Sequence, residues 1–228
     1  NIDIDKINKE TLDELFHEYG SDKANIFIKT KKKGHGFSEF YSKHLENLRK
    51  EKINILEIGS YAGASAAAFS KYFPNSVIYC FDINISNFIY YSKRINVYGL
   101  DINNNKELDN SINKINLKYN FNFFDVIIDD GSHNLSDILF SFKNLFKFVK
   151  EKGTYIIEDF KHPNYYDRNN DVQDILIPSM LNNLKEKKFF KSNIIKTIDQ
   201  NYFHKNIKKI DVYKGNLKDS DICFIEKN

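Results

Sequence analysis

From Ile53 onward, short apolar runs alternate with stretches of helical periodicity, and this alternation restricts the chain more than any other feature. Parallel strands need a long crossover, usually a helix, so such a pattern builds a parallel sheet covered on both faces. Ile53 to Ile58, Val77 to Asp82, Asn96 to Tyr98, Val126 to Asp129 and Thr154 to Ile157 read as strands of successive βα units. The end, "KKIDVYKGNLKDSDICFIEKN", gives two more strand-like runs joined at a Gly-Asn turn, a terminal hairpin. The expected fold is α/β: a doubly wound, mostly parallel seven-stranded sheet with a terminal antiparallel hairpin. A helical segment over residues 1–50 precedes the main domain, 51–228.

After the fourth strand, Leu135, Ile138, Leu139, Phe142, Leu145, Phe146 and Val149 recur at spacings of three and four. Lys147, Lys150 and Lys152 followed by Gly153 suit a helix C-terminus, so the helix is predicted to run to that glycine. Beyond Phe160 the pattern breaks. Residues 161–180, with Pro163, Pro178, His162, Tyr165, Tyr166 and Arg168, are expected to form a loop with a short helix over the top edge of the sheet. Aromatic rings suit sugar faces and Arg suits a phosphate or carboxylate, so this stretch reads as a substrate lid, although plain polar cover has the same composition.

The chain has 228 residues, 41% hydrophobic and 29% charged, which suits one good-sized core. The net charge of +3 comes from scattered lysines, whereas a nucleic-acid partner calls for a concentrated basic face. The dense run "KTKKK", Lys29 to Lys33, reads as a solvated loop. No apolar stretch approaches the roughly 20 residues of a membrane span, and the polar opening "NIDIDKINKE" is unlike a signal peptide. Cys80 and Cys223 sit in apolar segments away from any metal-type spacing, so a reducing cytoplasm is expected.

"INILEIGSYAGASAAAFSKYF" reads strand, glycine loop, helix. Gly59 and Gly63 allow a tight turn and a close backbone approach, and the helix after them turns its free N–H groups toward a ligand. The spacing G-x-x-x-G is neither a dinucleotide fingerprint nor a P-loop. Glu57 would repel a pyrophosphate and suits a cationic group. Asp82, at the next strand end, is placed to accept hydrogen bonds from ribose hydroxyls. A nucleoside joined to a cationic amino acid fits this set, and S-adenosylmethionine is such a molecule. Ser60 and Ser65 belong to the same candidate cofactor-binding loop.

Two strands end in acid pairs, Asp129-Asp130 and Glu158-Asp159. Adjacent strands lie about 4.8 Å apart, so these carboxylates would repel unless a cation joined them. An all-oxygen set suggests Mg²⁺, with Mn²⁺ or Ca²⁺ as alternatives. His133 follows Asp130 past Gly131, and a histidine with its ordinary pKa of about 6.5 suits a general base beside that ion. By itself "FDVIIDDGSH" is equally a polar strand end.

These residues resemble the class I S-adenosylmethionine-dependent methyltransferases with their Rossmann-like fold. "IIDDGSH", "SFKNLF", "KGTYIIEDF", "YGSDK" and "HGFSEFY" together are similar to the metal-dependent sugar O-methyltransferases of the macrolide-glycoside and polysaccharide-cluster type. The resemblance implies Asp130, Glu158 and Asp159 as metal ligands, with His133 as base beside Asp130. It implies Asp129 as a supporting residue on the cofactor side and Asp101 at the adenine. It also brings Ser21 and Lys23 to the cofactor, with Gly20, Asp22, His35 and Tyr41 nearby, where an ordinary helix-to-helix turn is the alternative. The substrate would be a sugar or nucleotide sugar from capsule, lipopolysaccharide or glycosylated-metabolite assembly, and the protein a possible homo-oligomer. A catechol-type O-methyltransferase and a non-catalytic S-adenosylmethionine-binding module are the competing readings.

Overall fold

The computed structural model describes residues 1–4, 11–119, 123–161 and 172–228. His162, Tyr165, Tyr166, Arg168 and half of the expected lid lie outside them. The strands of the main sheet are β1 (Asn54–Ile58), β2 (Val77–Asp82), β3 (Ile95–Gly99), β4 (Phe124–Asp129), β5 (Val149–Glu158), β6 (Ile207–Lys214) and β7 (Asp221–Lys227). Their order is β3-β2-β1-β4-β5-β7-β6, with the first five parallel and β7 antiparallel to both neighbours. This is the expected doubly wound sheet with its antiparallel end. β4 is buried at every position, as a strand covered on both faces should be. The edge strand β6 alternates toward solvent.

Helices α1 (Leu12–Tyr19), α2 (Ser38–Leu45) and α3 (Ala64–Tyr72) cover one face; α4 (Asn105–Tyr119), α5 (Leu135–Leu145), α6 (Ile177–Lys185) and α7 (Thr197–Asn206) cover the other. The sequence "ASAAAFSKY" makes α3 thin and apolar, and its residues 65–72 are all buried. Phe16 of α1 and Tyr41 of α2 lock onto it through Phe69, with ring centroids 5.2 and 5.1 Å apart. The N-terminal segment is thus a layer of the core. It is less helical than expected, because a two-residue ladder, Ile26–Phe27 with Lys32–Lys33, sits between α1 and α2. The run 29–33 around that ladder is exposed.

Two local expectations fail. Helix α5 stops at Leu145, a short 3₁₀ turn follows, and Val149 begins β5. Val149 kept the helical period because a buried strand start also demands an apolar residue. Gly153 therefore caps no helix: Phe124 pairs with Val149 and Val126 with Thr154, so residues 150–153 bulge out within β5. The hairpin connection is also longer than a Gly-Asn turn, spanning 215–220 with the Gly215 N–H donating to the Ser220 carbonyl. Among the described residues no helix is long and apolar enough to cross a membrane.

Candidate active site

The order of the strands reverses direction between β1 and β4, and a cleft of about 710 Å³ opens there at their carboxyl ends. One half of it is made by backbone. Gly59, at φ +79°, follows β1, and a Cβ there would lie 2.0 Å from the Asp130 carbonyl oxygen. The bare Cα lets the turn after β4 close against the turn after β1. Gly63, also at φ +79°, caps α3 without any side-chain bond, which leaves the first N–H groups of that helix for a ligand. Its own position is filled by the ring of Phe88, so it shapes the loop without lining the cleft.

Ser60, Ser65, Asp82, Asp101, Ser21 and Lys23 all line the cleft, as does Gly59. Asp82 accepts hydrogen bonds from the N–H groups of Tyr61 at 2.7 Å and Asn84 at 2.8 Å, which fix its carboxylate at the rim. Ile83, Leu100 and Ile102 add apolar wall. They immediately follow β2 and β3, a placement that marks them in retrospect. Asp137, in the first turn of α5, also went unread; it accepts from Asn103 at 2.8 Å and from Asn134 at 3.1 Å and ties two loops together.

Glu57 does not line the cleft. It is fully buried on the face toward α3, and neither carboxylate oxygen has a well-formed hydrogen bond. Burial pushes its pKa up to about 7, offset in part by Lys23 and the hydroxyl of Ser65. Asp129 likewise does not line the cleft. Its Oδ2 accepts from Ser141 at 2.8 Å and Tyr155 at 3.2 Å, and burial raises its pKa to about 6.

The other half of the cleft is ionic. Strand register sets Asp129 opposite both Ile58 and Ile157, so the next residue, Asp130, lies level with Glu158. Ligand atoms of Asp130, His133 and Asp159 lie within 4.8 Å of one another. Glu158 is not in that group. Its Oε1 accepts from the Tyr41 hydroxyl and its Oε2 from Lys23, whose Nζ also lies 2.5 Å from Asp130 Oδ2. Burial alone would lower the pKa of Lys23, but Asp130, then Glu158 and Glu57, raise it well above the ordinary value. Glu158 is also raised, first by burial and then by Asp130 and Asp159, with Lys23 opposing. One ammonium thus serves more carboxylates than it can neutralise.

His133 sits at φ +57° and Asp159 at φ +47°, left-handed conformations that cost side-chain-bearing residues about 1 kcal/mol or more. Both lie on this acid edge. His133 Nε2 is 3.8 Å from Asp130 Oδ1. Asp159 is held by its N–H donating to the Asp221 carbonyl at 2.7 Å, and its Oδ1 lies 3.1 Å from His35 Nδ1, an ion pair when the imidazole is protonated. Burial would lower the pKa of His35, and Asp159 outweighs it and raises it. The carboxylates of Asp130 and Asp159, with positive charge in deficit, fit a hard divalent cation, and the His133 imidazole stands beside them.

No family model matches the chain. It is 30% identical over 158 residues to the mycinamicin VI 2''-O-methyltransferase of Micromonospora griseorubida, covering 66% of this chain and 36% of that protein. It is 30% identical over 168 residues to the L-olivosyl-oleandolide 3-O-methyltransferase of Streptomyces antibioticus, covering 70% of this chain and 40% of that protein. Among solved structures, the MycE methyltransferase from the mycinamycin biosynthetic pathway, in complex with Mg, SAH and mycinamycin VI, superposes with a TM-score of 0.73 at 26% identity. That match covers 96% of this chain and 55% of the other. The chain spans about two fifths of the length of these curated relatives and about half of the solved one.

Proposed function

We propose that this chain, which belongs with the class I S-adenosylmethionine-dependent methyltransferases of the sugar O-methyltransferase type, transfers a methyl group from S-adenosylmethionine to a sugar hydroxyl with the aid of a divalent metal ion. The observation that carries this reading is the convergence of Asp130, His133 and the buried Asp159, the first two of which line the same cleft as the glycine loop and Asp82.

The chain's own residues divide the work. The loop from Gly59 to Ser65 and the open N-terminus of α3 hold the cofactor, Asp82 meets its ribose, and Asp101 with Leu100 and Ile102 flanks its adenine. Glu57 supplies negative potential beneath its cationic end. Asp130 and Asp159, joined by Glu158 once it is released from Lys23, would hold a metal ion, for which Mg²⁺ is the first choice. That ion, when bound, makes a sugar hydroxyl more acidic. His133 takes the hydroxyl proton as the oxygen gains the methyl carbon and the carbon–sulfur bond breaks, its electron pair staying on sulfur. The products are a methyl ether and S-adenosylhomocysteine.

The substrate we favour is a sugar on a nucleotide or on a glycosylated metabolite, in capsule, lipopolysaccharide or natural-product assembly. The name of the L-olivosyl-oleandolide 3-O-methyltransferase, with its glycosyl group, supports the sugar. Both cysteines are free and buried, which suits a reducing cytoplasm. Incubating the purified chain with S-adenosylmethionine, Mg²⁺ and panels of nucleotide sugars, glycosylated macrolides and catechols tests the reading. S-adenosylhomocysteine should form with a sugar panel and cease in EDTA. Full turnover in chelator, or turnover with catechols alone, would refute it.

A further inference from the structure

The lysine at the centre of the acid edge is buried as deeply as the acids it serves, with 2% of its surface exposed. Its backbone is fixed: the Lys23 N–H donates to Ser21 Oγ at 3.3 Å and its carbonyl accepts from the Phe37 N–H at 2.9 Å. Only the side chain can relocate. Its ammonium bridges Asp130 and Glu158, while Tyr41 takes the other oxygen of Glu158. In this arrangement Glu158 cannot turn an oxygen toward an ion shared with Asp130 and Asp159. An ammonium and a divalent ion packed against the same two carboxylates would repel at contact distance.

We infer that Lys23 is a resident counter-ion: its ammonium and the divalent metal ion compete for Asp130 and Glu158, and metal loading moves the lysine side chain out into the cleft. The inference rests on the metal-dependent reading above. Charge favours the exchange, because Asp130, Glu158 and Glu57 surround a single positive charge and a divalent ion brings two. The exit is at hand, since Lys23 already lines the cleft and carries a flexible four-carbon stem. The metal-free protein thereby avoids a cluster of bare buried carboxylates, which would otherwise loosen α1 and α2 from the sheet.

Two measurements test this with Mn²⁺ as the probe. In the wild-type protein, acylation by an amine-reactive ester, mapped by mass spectrometry, should be weak at Lys23 without metal and rise toward that of exposed Lys29 when Mn²⁺ saturates. In Lys23→Met, Mn²⁺ affinity measured by electron paramagnetic resonance should increase by about tenfold or more, because no resident cation must be displaced. If that variant fails to fold, the labelling of the wild-type protein decides alone. Bound Mn²⁺ with Lys23 still shielded, or weaker Mn²⁺ binding in Lys23→Met, would overturn the inference and leave the metal-dependent reading standing. Absence of Mn²⁺ binding in every folded form would overturn both.

Discussion

The two halves of the cleft solve the same problem, holding a charged ligand at a sheet edge, by different physics. The half at β1 and β2 is built from local backbone: one glycine packed against a neighbouring turn, one uncapped helix, one aspartate pinned by two N–H groups. The half at β4 and β5 is built from side-chain charge gathered across the chain, with Lys23 lying 107 and 135 residues from the acids it bridges. The contrast teaches that the first half fails through geometry and the second through charge balance. A substitution in one should therefore leave the signature of the other intact.

The largest separation is expected from His133→Ala or Asp130→Asn. Methyl transfer should fall by about 10²- to 10⁴-fold, the usual contribution of a positioned base. Cofactor affinity, followed by calorimetry, should stay within a few-fold. A parallel loss of cofactor binding would erase the proposed division. Gly59→Ala should instead strike the seam between the halves and disturb both, since its Cβ would lie 2.0 Å from the Asp130 carbonyl oxygen. A loss of about 3 kcal/mol or more in urea unfolding is expected, with cofactor binding abolished.

The smallest effect sharpens the boundary between the halves. Glu57 has a pKa of about 7 in the fold against an ordinary 4.5, so the folded state holds its proton more tightly than the unfolded chain. Its contribution is fully present below about pH 4.5 and is lost as pH rises through about 7, a change of up to about 3 kcal/mol. Glu57→Gln should flatten the stability-versus-pH curve of the ligand-free protein by that amount between about pH 5 and pH 8. An unchanged curve would mean that Lys23 already satisfies Glu57, making the two halves one electrostatic unit.

Much of this was legible because it is local. The strands from Asn54 to Glu158 announce themselves by apolar runs, and the glycine loop by its spacing. The acid pairs were visible at strand ends, yet their partners were not: nothing in "YGSDK" says that its lysine will sit between Asp130 and Glu158. The resemblance separated Asp130 from Asp129, but it did not separate Glu158 from Asp159: Glu158 turns to Tyr41 and Lys23, contacts that only packing creates. The end of α5 was misread since Val149 satisfies a helical and a strand pattern equally.

The Asp159–Asp221 backbone bond and the pairing of His35 with Ser220, 185 residues apart, have a kinetic meaning. Contacts this distant along the chain pay the largest loop-closure cost, so they form after the local βα units have condensed. The acid edge should consequently be among the last parts of the molecule to mature in refolding.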